Sequence, residues 1–145
     1  MKIFIALSNH LLSLSLKDLL KKAMGDLKVY TEDEEIPSEF IPDVLIMNFY
    51  GLRSEKARQF GFENSRVLLL DTGLTNEEIQ ASYVFFKVAG ILPQNTSTAL
   101  LIKSLQAVVG GEIWIDNKTV KDILQSQHSS MFQKIRSLRL TPREE

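Results

Sequence analysis

Apolar residues in this chain come in short unbroken runs, and the runs end on polar residues. Ile3 to Leu7 is followed by Ser8-Asn9-His10, Val44-Leu45-Ile46-Met47 by Asn48, and the run inside Arg66 to Asp71 by Asp71 itself. A run this short, bounded by turn formers, predicts a strand buried on both faces, as in a parallel sheet. Leu27-Lys28-Val29-Tyr30 alternates instead, which suits a half-exposed edge strand. Val88 to Leu92, with Pro93 and Gln94 after it, is the last of the series.

Between the strands the spacing becomes helical. Leu12, Leu16, Leu19, Leu20 and Ala23 lie on one helix face, and Gly25 ends it. Leu52 to Phe60 predicts a short helix closed by Gly61. Thr75-Asn76-Glu77-Glu78 is a capping box, and the helix after it places Ile79, Tyr83 and Phe86 on one face. Thr96 or Ser97 caps a further helix that turns Leu101, Leu105, Val108 and Val109 inward and stops at Gly110-Gly111. Thr31 to Pro42 is acidic and carries Pro37 and Pro42, so a loop with no more than one helical turn is expected, its run Glu32 to Glu35 a solvated surface. Strands and helices alternate five times. The fold class is therefore α/β, a doubly wound five-stranded parallel sheet of flavodoxin-like order 2-1-3-4-5. Such sheets place their chemistry beyond the carboxyl ends of the strands, so Asn48 stands at the functional rim.

The tail adds Glu112-Ile113-Trp114-Ile115-Asp116, a helix over Thr119 to Leu124, and a polar linker from Gln125 to Ser130. The last residues read as a helix start, with Thr141 as N-cap, Pro142 at the first helical position and Glu144 completing the box. No helix body follows, which predicts a natural protein that continues.

Composition narrows the chemistry. The chain has 145 residues and a formal net charge of −1, so the whole chain makes no electrostatic case for nucleic-acid binding. It has no cysteine, which excludes disulfides, thiolate zinc sites and a cysteine nucleophile. Its histidines are His10 and His128; His10 reads as a hydrogen-bonded residue at a helix start. No apolar stretch reaches the roughly 20 residues that span a bilayer, and the N-terminus does not form a signal peptide, so a cytoplasmic protein with no membrane partner is expected. Ser8-Asn9-His10-Leu11 contains no glycine for a phosphate loop, and no nucleophile–base pair is visible, so no enzyme, cofactor or resident metal is expected.

Four stretches together resemble the receiver domain of a response regulator of the NarL/FixJ (LuxR-type) class. They are Pro42 to Met47, Ala89-Gly90-Ile91-Leu92, Ala107 to Trp114, and Leu140-Thr141-Pro142-Arg143-Glu144. The resemblance implies a receiver-like domain over 1–116, a helix and linker over 117–139, and at 140–145 the first residues of a truncated helix-turn-helix domain. The second receiver helix is reduced or absent.

The departures decide the expected function. The acidic pair that holds magnesium in the family falls on Ser8 and Asn9, and the phosphate-accepting aspartate on Asn48. The hydroxyl residue falls on Asp71, with Thr72 adjacent, and the lysine on Gln94. An amide is a poor nucleophile, and magnesium asks for carboxylate ligands. Asp43 begins the same strand as Asn48 and lies at the wrong end of the sheet. The resemblance thus implies a degenerate pocket of Ser8, Asn9, Asn48, Asp71 and Gln94 in a pseudo-receiver that works without phosphorylation. It would act as a homodimer, with Phe85 on the dimer face, or through its DNA-binding domain, DNA being reached only through that C-terminal part. The alternative is a small-molecule sensor whose neutral rim holds a polar metabolite, or a stand-alone protein-interaction module.

Overall fold

The computed structural model describes residues 1–61 and 64–126. Strands β1 (Lys2–Ala6), β2 (Lys28–Thr31), β3 (Val44–Met47), β4 (Arg66–Asp71) and β5 (Gly90–Pro93) form one parallel sheet in the order β2-β1-β3-β4-β5. Helices α1 (His10–Met24), α2 (Glu55–Phe60) and α3 (Asn76–Val84) follow β1, β3 and β4, with a 3-10 helix over Phe49–Arg53 before α2, and α4 (Thr98–Val109) follows β5. A further helix, α5 (Asn117–Ser126), belongs to a second unit that begins at Ile115; the first unit is Met1–Trp114. Asp116 caps α5, its Oδ1 accepting from the Thr119 N–H at 2.6 Å. The helix expected over Thr119 to Leu124 runs over Asn117–Ser126 and so takes in Gln125 and Ser126, the first residues of the expected linker; the rest of that linker, 127–130, and the helix start at 140–145 lie outside the described residues.

The central strands are buried on both faces, as their unbroken apolar runs demand. Every residue of β3 is buried, and Ile5 of β1 lies in register between Thr31 and Ile46. Alternate residues feed two cores. Ile3, Ile5, Ile46 and Leu68 meet the face carrying Leu20 of α1 and Leu105 and Val108 of α4. Phe4, Leu45, Met47 and Leu69 meet Leu52, Ala57 and Val88 on the opposite face. The edge strand β2 alternates in burial as its sequence does.

Several elements depart from the sequence expectation. The helix expected from Leu52 begins only at Glu55, because Ser54 breaks the 3-10 turn and re-caps α2 through its hydroxyl. The helix capped by Thr75 ends at Val84, so Phe86 lies outside it and is 43% exposed; the buried residue of this helix is Ser82. The Phe86 N–H reaches back to the Ala81 carbonyl, Lys87 takes a left-handed φ of 53°, and the Val88 N–H bonds the Ser82 carbonyl. This turn carries Val88 and Ala89 into the core ahead of β5, which starts at Gly90. Val109 also stays exposed, since α4 buries Leu101, Leu105 and Val108.

No helix stands between β2 and β3. Ile36 and Phe40 of the connecting loop instead join Tyr30 and Phe60 over Phe4. The Tyr30–Phe40 and Phe4–Phe60 rings meet edge to face at 4.7 and 5.0 Å, a geometry aromatic quadrupoles favour. The acidic run of this loop is an anchor rather than only a solvated surface. Glu34 accepts two bonds from the Lys17 ammonium, at 2.8 and 2.7 Å, and one from the Thr31 N–H at 2.8 Å. Glu32 accepts from the Ser54 hydroxyl at 2.7 Å, and Lys56 donates to the Glu32 carbonyl. Loop, α1 and α2 are thereby tied together.

Beyond β5 the sheet edge is closed by Trp114, which pairs with Gly90 as a single parallel bridge. The Trp114 N–H donates to the Ala89 carbonyl at 2.7 Å, and the Tyr83 hydroxyl donates to the Trp114 carbonyl at 2.7 Å. Gly90 permits this approach, because a Cβ there would lie 2.7 Å from the Trp114 Cβ and 2.9 Å from Leu68 Cδ1.

Gly90→Val is expected to destabilise the protein by about 1–3 kcal/mol, the usual cost of overpacking. A lowered urea midpoint, followed by the fluorescence of the single tryptophan, is the measurement. Glu34 supplies a pH dependence. Partial burial raises its carboxyl, but the hydrogen bonds and charge of Lys17 and the bonds from Thr31 outweigh this and hold it below its ordinary value of 4.5. A carboxyl lowered in the folded state contributes stability above its unfolded pKa and loses it as pH falls through the folded value. The stability gap between wild type and Glu34→Gln is therefore expected to be larger at about pH 7 than at about pH 3, measured by urea unfolding.

Candidate functional site

All strands of a parallel sheet present their carboxyl ends to one rim, so the residues after β1, β3, β4 and β5 share it. Asn48 follows β3 and is 6% exposed. Its backbone is extended, which lets it cap the 3-10 helix: Oδ1 accepts from the Gly51 N–H at 2.9 Å. Its Nδ2 donates to the Ser8 hydroxyl oxygen at 2.8 Å. Gly51 is drawn against β1, where a Cβ would sit 2.4 Å from the Ala6 carbonyl oxygen. Ser8 itself takes a left-handed φ of 44°, which L-residues visit at a cost. Asn48 thus links the ends of β1 and β3, and both ends of its amide are used.

The other described rim residues form no hydrogen bond with this pair. Asn9 caps α1, its Oδ1 accepting from the Leu12 N–H at 3.1 Å. Asp71 turns the chain out of β4, its Oδ1 accepting from the Gly73 and Leu74 N–H groups at 2.9 and 2.7 Å. Gln94 lines a separate cavity together with Thr72. His10 opens α1 and pairs with the exposed Asp33. Asp43 lies at the opposite end of the sheet, accepting from the Lys2 N–H at 2.8 Å.

These residues do not fit the magnesium ion that the family resemblance implies. The cation asks for near-octahedral oxygen ligation with carboxylates. Here Asn9 is engaged in a cap, Asn48 in two bonds, and one oxygen of Asp71 in its turn. No phosphoryl acceptor of carboxylate type stands at the end of β3, and Gln94 brings no cation. Of the expected polar-metabolite rim, Asn48 bonds Ser8, Asn9 caps α1 through its Oδ1, and Gln94 lines the separate cavity.

A different feature of the rim escaped the sequence reading. Between α1 and α4 lies a cavity of about 400 Å³, walled by Leu12, Leu16 and Leu19 of α1 and by Leu101 of α4. Leu70 and Leu92, near the ends of β4 and β5, also line it, and Thr72, Gln94, Thr96 and Thr98 border it. The sequence signal was the leucine row on α1, which reads equally well as ordinary core. No helix among the described residues is long and apolar enough to cross a membrane.

No protein-family model and no curated protein matches the chain. Solved structures do. The regulatory domain of the master biofilm regulator CsgD is similar with a TM-score of 0.57 at 15% identity, over 86% of this chain and 99% of that one. The adenylate cyclase from Rhodopirellula baltica is similar with a TM-score of 0.53 at 14% identity, over 94% of this chain and 96% of that one. At such identities the likeness concerns the fold: a flavodoxin-like, receiver-like sheet of order 2-1-3-4-5.

Proposed function

We propose that this chain is the receiver-like regulatory domain of a DNA-binding transcription regulator, and that it works without phosphorylation. The observation that carries this reading is the closed hydrogen bonding of Asn48 to Ser8 and Gly51, where a phosphate-accepting receiver needs a free carboxylate. The likeness to the CsgD regulatory domain supports the regulatory part. The domain performs no catalysis of its own. It signals by self-association or by contact with the DNA-binding domain of the same protein, which alone meets DNA. Phe85, 64% exposed beside the half-exposed Phe86, supports a self-association face, since large apolar groups in solvent mark contact surfaces.

With acetyl phosphate and magnesium, intact-mass measurement is expected to show no phosphoryl adduct. Asn48→Asp is expected to remain unmodified as well, because the new carboxylate still lacks magnesium ligands and the lysine cation. A stoichiometric adduct on the wild-type chain overturns the proposal. For the self-association face, Phe85→Ser is expected to weaken a dimer seen by sedimentation velocity. A wild-type chain that stays monomeric at high concentration removes the dimer part of the reading.

A further inference from the structure

We infer that the cavity between α1 and α4 is a binding site for an uncharged, largely apolar small molecule with one hydrogen-bonding end, such as an alcohol or amide. This goes beyond the function proposed above and concerns a different site from the Asn48 pair. The cavity arises from how the two helices lie on the sheet. α1 packs on β2 and β1, while α4 packs on β4, β3 and β5, and the cavity lies between the two helices at the carboxyl ends of β4 and β5. Leu16, Leu70 and Leu101 form an apolar floor, and Leu12, 44% exposed, and Leu19, 38% exposed, stand in the open wall. Apolar surface left in contact with water gains by being covered, and a volume of about 400 Å³ falls within the range of small-molecule sites.

The lining also defines the head group. Thr72, Gln94 and Thr98 border the cavity, and none of these side chains has a hydrogen-bond partner among the described residues. They present donors and acceptors without charge. No acidic or basic side chain lines the cavity. An ion brought into it would lose hydration with no opposite charge to replace it, so carboxylates, phosphates and amines are disfavoured. The site is thus matched to a neutral amphiphile, its body on the leucines and its polar end toward Gln94 and the threonines.

The test titrates the full chain with N-phenyl-1-naphthylamine, an uncharged fluorescent probe, and then displaces it with 1-octanol or octanoate at neutral pH. The expected result is saturable probe binding, displaced by octanol at a concentration at least about tenfold below that needed for octanoate. Leu12→Trp, which fills the wall, is expected to weaken the probe by at least about tenfold with an unchanged urea midpoint. Leu11→Ser is expected to leave binding intact, because Leu11 is 75% exposed and does not line the cavity. Gln94→Lys is expected to shift the preference toward octanoate, a gain that a merely damaged fold would not produce. The inference is overturned if the probe does not saturate, or if Leu11→Ser weakens it as much as Leu12→Trp does. It is also overturned if octanoate competes as well as octanol on the wild-type chain. Concentration-dependent self-association abolished by Leu12→Trp, without octanol displacement, would instead make the cavity a protein contact. None of these outcomes depends on phosphoryl uptake, so the two proposals stand or fall separately.

Discussion

The structure depends on one constraint: the inner strands are apolar on both faces, so both faces must be covered. β1 and β3 send Ile3, Ile5 and Ile46 one way and Phe4, Leu45 and Met47 the other. At roughly 25 cal/mol per Å² of apolar surface, leaving either face open would forfeit much of the folding free energy. One face is closed by α1 and α4. The other has no helix after β2, and its substitute is aromatic. Tyr30, Phe40 and Phe60 close over Phe4, and the acidic loop that carries Phe40 is pinned by Lys17, Ser54 and Lys56. The loop's charges therefore serve packing, because they hold an irregular segment where a helix is missing.

The same sheet sets up the rim, where the polar groups bond one another or the local backbone. Asn48, Ser8 and Gly51 satisfy one another, Asn9 serves its helix, and Asp71 serves its turn. A pocket that changes state on phosphorylation needs charged groups held apart and ready to meet a dianion and a cation. This rim has instead settled into a bonded arrangement that braces the ends of β1 and β3. Unsatisfied polarity survives a few residues away, at Gln94 and Thr72, beside leucines that the helices leave uncovered.

Much of the fold was legible from the residues. The apolar runs located the strands, the alternating run located the edge, and Thr75 with Glu78 marked a capping box that forms as read. The loss of the second helix was legible through Pro37 and Pro42. The failures share one cause. Phe86, Val109 and the acid run were read by periodic or compositional pattern, and each was decided by something that pattern does not carry: the left-handed turn at Lys87 that ends α3, the limited face of α4 that the core covers, and Lys17 arriving from α1. The candidate site residues lie at or just after strand ends, but their individual bonds were not legible, because a polar residue at a rim has several neighbours within reach.

The sequence by itself determined which segments are inner strands and which is the edge, and the absence of a carboxylate at the end of β3, since these follow from side-chain identity and its pattern along the chain; with right-handed crossovers that pattern fits the order 2-1-3-4-5. Only the tertiary structure decided that Asn48 spends its amide on Ser8 and Gly51, and that α1 and α4 leave a cavity between them. Both depend on distances between segments far apart in the chain. Side-chain identity sets what a group can bond, while the packing of helices on a twisted sheet sets what lies within its reach.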